Sequence, residues 1–275
     1  MSVKMPHETL QKLSGSDGST IVYRRYGTGP RVLTALHSLA LDGSWYEPLA
    51  TVLDADYSIL APDFRGHGQS TQGSSPVSLS LVAKDIAAMW EAENVEHTVV
   101  MGISLGGMVA QAVTGSFPEK VDAQILMATR GAFDETAAQG TRARAAEVRA
   151  PQGLFDALEP TMHRWFGDES QNSESPLVRK AREQWLQAGG DTIADYFEAM
   201  TQVGEFQLQN PPPTLVVAGD DDRSTARPVI EALAAQIPGA KLVFAHGGHL
   251  VAFDNPDEVA RVIRPFLDHL DCWSR

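Results

Sequence analysis

Short apolar runs alternate along this chain with segments of helical periodicity, and this alternation restricts the possible folds more than any other feature. Four of the runs contain no charged residue, at 57–61, 97–103, 123–127 and 214–218. Continuous hydrophobicity of this kind is typical of strands that are buried on both faces of a parallel sheet. Apolar residues recur at spacings of three and four in the segments 79–90, 228–237 and 256–270. The sequence therefore predicts a mostly parallel, doubly wound α/β sheet.

The first two predicted strands flank a glycine- and proline-rich turn. Residues 20–26 are rich in β-formers, Gly-Thr-Gly-Pro follows at 27–30, and a second apolar run occupies 32–36. A strand, a turn and a strand in direct succession predict an antiparallel hairpin.

One long region interrupts the alternation. Residues 131–210 have helical patterns and a polar stretch at 168–175, but no convincing strand, and three prolines follow at 211–213. We predict that 131–210 is an inserted helical lid, and that 1–130 and 211–275 together form the core domain. A chain of 275 residues with 43% hydrophobic content suits this arrangement better than two independent domains.

Charge and composition limit the partners. The formal charge of -13 is spread along the chain, which argues against binding a nucleic acid. Neither a signal-peptide core nor an apolar segment of membrane-spanning length is present, so we expect a cytoplasmic protein without a membrane partner. The single cysteine, Cys272, rules out an internal disulfide and argues against a zinc site built on thiolates. The sequence is also compatible with a homo-oligomer.

The run at 97–103 leads directly into Gly-Ile-Ser-Leu-Gly, which matches the pattern G-x-S-x-G, and a helix-compatible segment follows at 108–117. The pattern needs its glycines because the serine sits in a strained strand-to-helix turn, where nearby side chains would collide with the backbone. Such a turn exposes the hydroxyl above the sheet, and the helix behind it directs N–H groups at a reacting carbonyl. We predict that Ser104 is a nucleophile.

A serine hydroxyl needs a histidine base and a carboxylate that orients the histidine. With a nucleophile on this type of turn, the base comes later in the chain. Four histidines follow Ser104. His163 lies in the predicted lid and His269 in the last helix, whereas His246 and His249 lie in a loop after a strand. We choose His249 because it is farther from the strand end and directly precedes the loop to the last helix.

The acid is expected in the loop after the run at 214–218, where Asp220, Asp221 and Asp222 are consecutive. Any of the three could face the imidazole. Asp222 is favoured because a reaching loop should place its acid a few residues beyond the strand, while the other two suit turn or helix-capping roles.

Two backbone N–H groups are needed to stabilise the negative charge that develops on the carbonyl oxygen. One should belong to Leu105, directly after the nucleophile, and the other to Leu39, in the loop after the run at 32–36. In that loop, His37 is interpreted as a bracing residue rather than a base. Residues 63–70 are interpreted as a turn that supports the site.

Along nearly its whole length the chain resembles the α/β-hydrolase superfamily, on the motifs at 37–42, 63–70, 102–107, 219–222 and 248–249. Within it, the chain looks most similar to 3-oxoadipate enol-lactonases. The closer likeness rests on His37-Ser38-Leu39 with Asp42 and Trp45, and on the segments 164–166 and 237–240.

The resemblance implies a catalytic triad of Ser104, Asp222 and His249 with oxyanion donors at Leu39 and Leu105. It also implies hydrolysis of a small ester or lactone without a metal or other cofactor. The chain departs from the pattern at Ala40, where the family usually has glycine, and this leaves the substrate open. The expected substrate contacts are Arg130, His163, Arg164 and Trp165, and an arginine facing the pocket would suit an anionic substrate.

Two other functions are compatible with the same motifs. The fold could hydrolyse a C–C bond, for example in a ring-fission diketone. It could also serve as a ligand receptor without catalysis, since a fold does not determine a function. The receptor is disfavoured because Ser104, Asp222 and His249 are all present.

Overall fold

The computed structural model describes residues 8–53, 56–207 and 209–274. In these residues a single eight-stranded sheet has the order β1-β2-β4-β3-β5-β6-β7-β8. Strands β3 to β8 run parallel, and β1 and β2 are antiparallel at one edge. The predicted mostly parallel α/β sheet is thus confirmed. The strands are β1 Glu8–Ser14, β2 Thr20–Tyr26, β3 Arg31–Leu36, β4 Tyr57–Pro62, β5 Thr98–Ile103, β6 Val121–Met127, β7 Thr214–Gly219 and β8 Lys241–Ala245.

Helices connect the parallel strands. They are α1 Glu47–Leu53, α2 Leu79–Ala92, α3 Leu105–Ser116, α4 Glu135–Arg149, α5 Gly153–Asp156, α6 Leu158–Phe166, α7 Pro176–Met200, α8 Arg227–Gln236, α9 Val251–Asp254 and α10 Pro256–Leu267. The periodic apolar residues of α2 are buried, and α2 packs against α3. Ser78 is the N-cap residue directly before this helix, and its side chain accepts a hydrogen bond from the Leu81 amide at 3.1 Å.

The predicted hairpin between the first two runs is wrong. Strand β4 lies between β2 and β3, pairing antiparallel with the former and parallel with the latter. A Cβ at Gly27 would lie 2.6 Å from the Tyr57 oxygen, and one at Gly29 would collide with the backbone at Asp56 and Tyr57. The turn therefore crosses closely over the start of β4 and delivers β3 to its far side. Turn residues predict a reversal of the chain, but they do not reveal a strand that enters later between the two.

Between β6 and β7 the chain forms α4 to α7, with no strand in the described part of 131–210. Helix α7 packs on α4 and is kinked at Gly189, whose φ is 80°. We call α4 to α7 the helical segment. Polar contacts join it to the loop after β3, because Trp45 Nε1 donates to Gln184 Oε1 at 2.6 Å and Gln184 Nε2 donates to Asp42 Oδ2 at 2.7 Å. Its action as a lid remains a prediction.

None of the described helices has the length and apolar character needed to cross a bilayer.

Candidate active site

Ser104 occupies the sharp turn between β5 and α3. Its φ is 56° and its ψ is -116°, a conformation that is costly for any residue with a side chain. The turn is tight enough to require glycine nearby, because a Cβ at Gly102 would collide with the Gly106 carbonyl and one at Gly106 with the Leu36 carbonyl. The Ser104 amide donates to Met127 O at 2.9 Å, which fixes the turn to the neighbouring strand.

His249 connects Ser104 to Asp222. Its Nε2 lies 2.9 Å from Ser104 Oγ, and its Nδ1 lies 3.0 Å from each carboxylate oxygen of Asp222. A carboxylate only accepts hydrogen bonds when ionised, so the ring proton resides on Nδ1 and Nε2 is free to accept the serine proton. Both side chains are almost completely buried, at 2% and 4% exposure. The arrangement has the order and contacts of a serine–histidine–carboxylate triad.

The three consecutive aspartates have three different partners. Asp222 also accepts the amides of Ser224 and Thr225, at 2.7 and 2.8 Å, which orient its carboxylate. Asp220 contacts His246 Nδ1 at 3.1 Å, and this hydrogen bond and the negative charge raise the His246 pKa. Asp221 lies 3.6 Å from the Arg223 guanidinium.

The other candidate histidines lie away from Ser104. The His246 side chain is 84% exposed. His163 and His269 are also exposed, and His269, which lies just beyond the end of α10, donates from Nδ1 to the Pro265 carbonyl of that helix. Among the described contacts, only His249 reaches the serine.

The loop after β3, which we call the oxyanion loop, carries Leu39, one of the two predicted oxyanion donors. In the described part of the chain, neither the Leu39 nor the Leu105 amide donates to a protein acceptor. Leu39 lines the same cavity as Ser104, and Leu105 is the first residue of α3. The two N–H groups are thus available for an oxygen at Ser104.

His37 orients the Leu39 amide. The Phe64 amide donates to His37 Nε2 at 2.9 Å, so Nδ1 carries the proton and donates to Ser38 O at 2.7 Å. In a trans peptide the carbonyl and the next N–H point in opposite directions, so holding Ser38 O on this side turns the Leu39 N–H away from His37. Burial, with a smaller effect from the neighbouring His67, lowers the His37 pKa to about 3, which keeps the ring neutral near pH 7.

At Ala40 the resemblance leads us to expect glycine, and the backbone at this position explains that expectation. Its φ is 60°, in the left-handed region, and the residue is buried. A residue with a Cβ pays roughly 1–2 kcal/mol in this region. The oxyanion loop therefore keeps the glycine conformation although a methyl group is present.

The turn at 63–70 lies beneath this loop. Asp63 accepts hydrogen bonds from Arg24 at 2.5 Å and from the Gly43 and Gln69 amides, both at 2.9 Å. Arg65 pairs with Asp85 and Asp17. These contacts hold the chain on which the oxyanion loop rests.

The cavity at Ser104 has a volume of about 100 Å³. The sheet side contributes Leu39, Ser104, Met108, Ser224, Thr225 and His249. The other side is Arg130 and Phe133, which follow β6, together with Thr141, Arg144, Thr161, Trp165, Trp185, Phe197 and Met200 of the helical segment. The cavity is therefore a small space closed by two different parts of the chain.

Two of the four predicted contact residues, Arg130 and Trp165, line this cavity. Arg164 does not line it, but donates at 2.7 Å to the lining residue Thr161, and His163 does not line it either. Sequence reasoning missed Arg144, whose guanidinium lies 4.5 Å above the Phe197 ring. It stands three residues after Thr141 on α4, so both side chains lie on one face of that helix. Neither residue carries a sequence signal of its own, because only the packing of α4 over Ser104 brings that face to the cavity.

In the described residues, no cluster of three or more histidine, cysteine, aspartate or glutamate side chains could hold a metal ion.

Comparison with known proteins places these features in a wider group. A family model for the alpha/beta hydrolase fold matches residues 33–256. The chain is 27% identical over 237 residues to 3-oxoadipate enol-lactonase 2 of Acinetobacter baylyi, covering 85% of this chain and 88% of the relative. It is 28% identical over 266 residues to the pimeloyl-[acyl-carrier protein] methyl ester esterase of Stenotrophomonas maltophilia, covering 88% and 94%. A hydrolase from Pseudomonas aeruginosa PA01 superposes with a TM-score of 0.84 at 26% identity, covering 94% and 98%.

Proposed function

The chain belongs to the α/β-hydrolase family, and on that basis we propose that it hydrolyses a small carboxylic ester or lactone through an acyl-enzyme on Ser104. The observation that carries the proposal is the continuous path from Asp222 through His249 to Ser104, with contacts of 3.0 and 2.9 Å. The relatives named above are an enol-lactonase and a methyl ester esterase, which supports cleavage of a C–O bond next to a carbonyl.

The proposed reaction begins with attack of Ser104 Oγ on the carbonyl carbon while His249 Nε2 takes the hydroxyl proton. Asp222 stabilises the imidazolium, and the Leu39 and Leu105 amides stabilise the negative charge on the oxygen. The C–O bond then breaks as His249 returns the proton to the leaving alcohol, which in a lactone stays attached to the acyl group. His249 next activates a water molecule that releases the acid and restores the serine. These steps need only groups of the protein, the substrate and water.

A panel of substrates tests this proposal. It should contain aryl and alkyl esters, saturated lactones, an enol-lactone and a ring-fission diketone. We expect turnover of the esters or lactones, and a loss in kcat on the order of 10⁶ in Ser104→Ala, as in other enzymes with this triad. Ser116→Ala is the matched control, because Ser116 is an exposed serine at the end of α3, the helix that follows Ser104.

The other outcomes contradict the proposal in distinct ways. Full activity of Ser104→Ala would exclude the serine as nucleophile. Turnover of the diketone alone would assign C–C bond hydrolysis. Stoichiometric binding of a lactone without product would assign a receptor instead of an enzyme acting on such substrates.

A further inference from the structure

A second cavity adjoins the one at Ser104. It has a volume of about 510 Å³, is open to solvent, and lies among α4, α5, α6 and α7. The two cavities share four lining residues, namely Arg144, Thr161, Trp185 and Phe197. We call the larger one the outer cavity and the smaller one the catalytic cavity.

The volumes indicate that the catalytic cavity alone holds little more than the reacting group. Small-molecule sites usually measure about 300–1,000 Å³. The outer cavity is within that range, while the catalytic cavity, at about 100 Å³, is well below it. A substrate with an arm of several atoms must place that arm beyond the catalytic cavity, and the shared wall leads to the outer one.

Two arginines stand at this junction without a carboxylate partner. Arg144 lines both cavities, and Arg164 lines the outer one. Neither guanidinium forms an ion pair with a described carboxylate. Their contacts orient them, since Arg144 stacks on Phe197 at 4.5 Å and Arg164 donates to Thr161 Oγ1 at 2.7 Å. A guanidinium has five N–H donors, so most remain available for a ligand.

The electrostatics of the pair favour an anion. Arg144 is one of the exposed residues of α4, yet partial desolvation by the surrounding protein, and next the positive charge of Arg164, lower its pKa to about 10, so that it stays charged near pH 7. Burial likewise lowers the Arg164 pKa. Glu147 and Asp156 also line the outer cavity and would repel a dianion such as a phosphate monoester more strongly than a monoanion. A single carboxylate fits this balance, and arginine binds carboxylates through two parallel hydrogen bonds.

We propose that Arg144 and Arg164 bind a carboxylate on the substrate arm that extends from the reacting carbonyl into the outer cavity. This inference rests on the proposed function and narrows it to esters or lactones whose arm ends in a carboxylate. Arg144 then acts as a specificity residue, because it faces both the reacting part of the substrate and the arm.

Half-esters of linear dicarboxylic acids test the inference directly. Monomethyl esters of increasing chain length are compared with neutral methyl esters of equal length. We expect kcat/KM for the long half-esters to exceed that for the neutral esters at least tenfold. Arg144→Met and Arg164→Met should each reduce this ratio at least tenfold, mainly through KM.

Two further variants separate recognition from general damage. Arg144→Lys should keep part of the preference, since it keeps the charge but loses the planar fork. Arg142→Met is the matched control, because Arg142 lies on the same helix and is exposed as Arg144 is, but lines neither cavity. It should leave the ratio of kcat/KM for half-ester to kcat/KM for neutral ester within about twofold of the wild-type ratio. A change of up to twofold is therefore counted as non-specific. A wild-type protein without preference for half-esters would contradict the inference.

Calorimetry with Ser104→Ala separates failure of this inference from failure of the proposed function. Binding of the half-ester at least tenfold tighter than the neutral ester, and weakened at least tenfold by a second change at Arg144, would support the anion site even without turnover in the wild type. Equal affinity for both esters, or binding unaffected by Arg144→Met, would overturn it even if Ser104 proved to be the nucleophile.

Discussion

The two parts of the chain that enclose the catalytic cavity place their groups by different means. At the end of the sheet, the backbone does the placing, through the strained turn at Ser104 and the orientation of the Leu39 amide by His37. The helical segment contributes side chains, among them Arg144 and Trp165, that project from helices. The backbone geometry at the sheet end therefore tolerates little change, whereas single side chains of the helical segment can be replaced without moving that backbone.

The two regions are nevertheless held together. The Tyr196 hydroxyl of α7 donates to the Arg65 carbonyl at 3.1 Å, and the Tyr196 ring meets the His67 ring edge to face at 4.7 Å. The helical segment therefore rests on the same turn that supports the oxyanion loop, so the stability of that turn should affect both regions.

The largest expected effect is the loss of catalysis when the base at the sheet end is removed. His249→Ala should lower kcat on the order of 10⁶, equivalent to about 8 kcal/mol, because the serine loses its base. His246→Ala is the matched control and should stay within about twofold, since the His246 ring is exposed and its Nδ1 contacts Asp220 rather than Asp222. Steady-state kinetics on one ester measures kcat for both variants. A larger loss of kcat in His246→Ala than in His249→Ala would assign His246 as the base.

A second effect compares buried with exposed ion pairs in the two regions. Arg65 is 1% exposed and pairs with Asp85 and Asp17, so Arg65→Met should lower the free energy of unfolding by about 3–5 kcal/mol. Arg149 of the helical segment pairs with Asp195 and Glu198 at the surface, and Arg149→Met should cost only about 0–1 kcal/mol. Urea unfolding measures both values. Equal losses would show that the helical segment is as tightly coupled to its ion pairs as the sheet end.

The smallest expected effect is a pH dependence of stability that comes from His67, whose ring contacts Tyr196 of the helical segment. Burial lowers the His67 pKa to about 4, below the value near 6.5 of an unfolded chain. Between these values the unfolded state binds the extra proton, so stability falls as pH decreases, by about 1.4 kcal/mol per pH unit for this group. His67→Gln should remove that much slope between pH 6 and 4.5 in urea unfolding. An unchanged slope would show that His67 is protonated in the folded protein.

The sequence predicts best what depends on local pattern. Five apolar runs and the β-rich stretch at 20–26 predicted six strands of the sheet to within two residues at either end, and G-x-S-x-G lies on the turn between β5 and α3. The predicted resemblance to α/β-hydrolases and to 3-oxoadipate enol-lactonases is confirmed by the comparisons. Long-range arrangement was harder to predict. Nothing local to residues 20–36 reveals that β4 lies between β2 and β3. The position of Arg144 in the cavity wall depends on how α4 packs over Ser104, which the local sequence does not determine.

Labelling with a fluorophosphonate, followed by mass spectrometry of the intact protein and its peptides, tests the central claim most directly. An activated serine attacks the phosphorus atom, so one label per chain should appear on Ser104, and none should appear in Ser104→Ala. A folded wild-type protein that takes up no label from either a bulky or a small phosphonate, or takes it up on another residue, would contradict the assignment of Ser104 as the nucleophile.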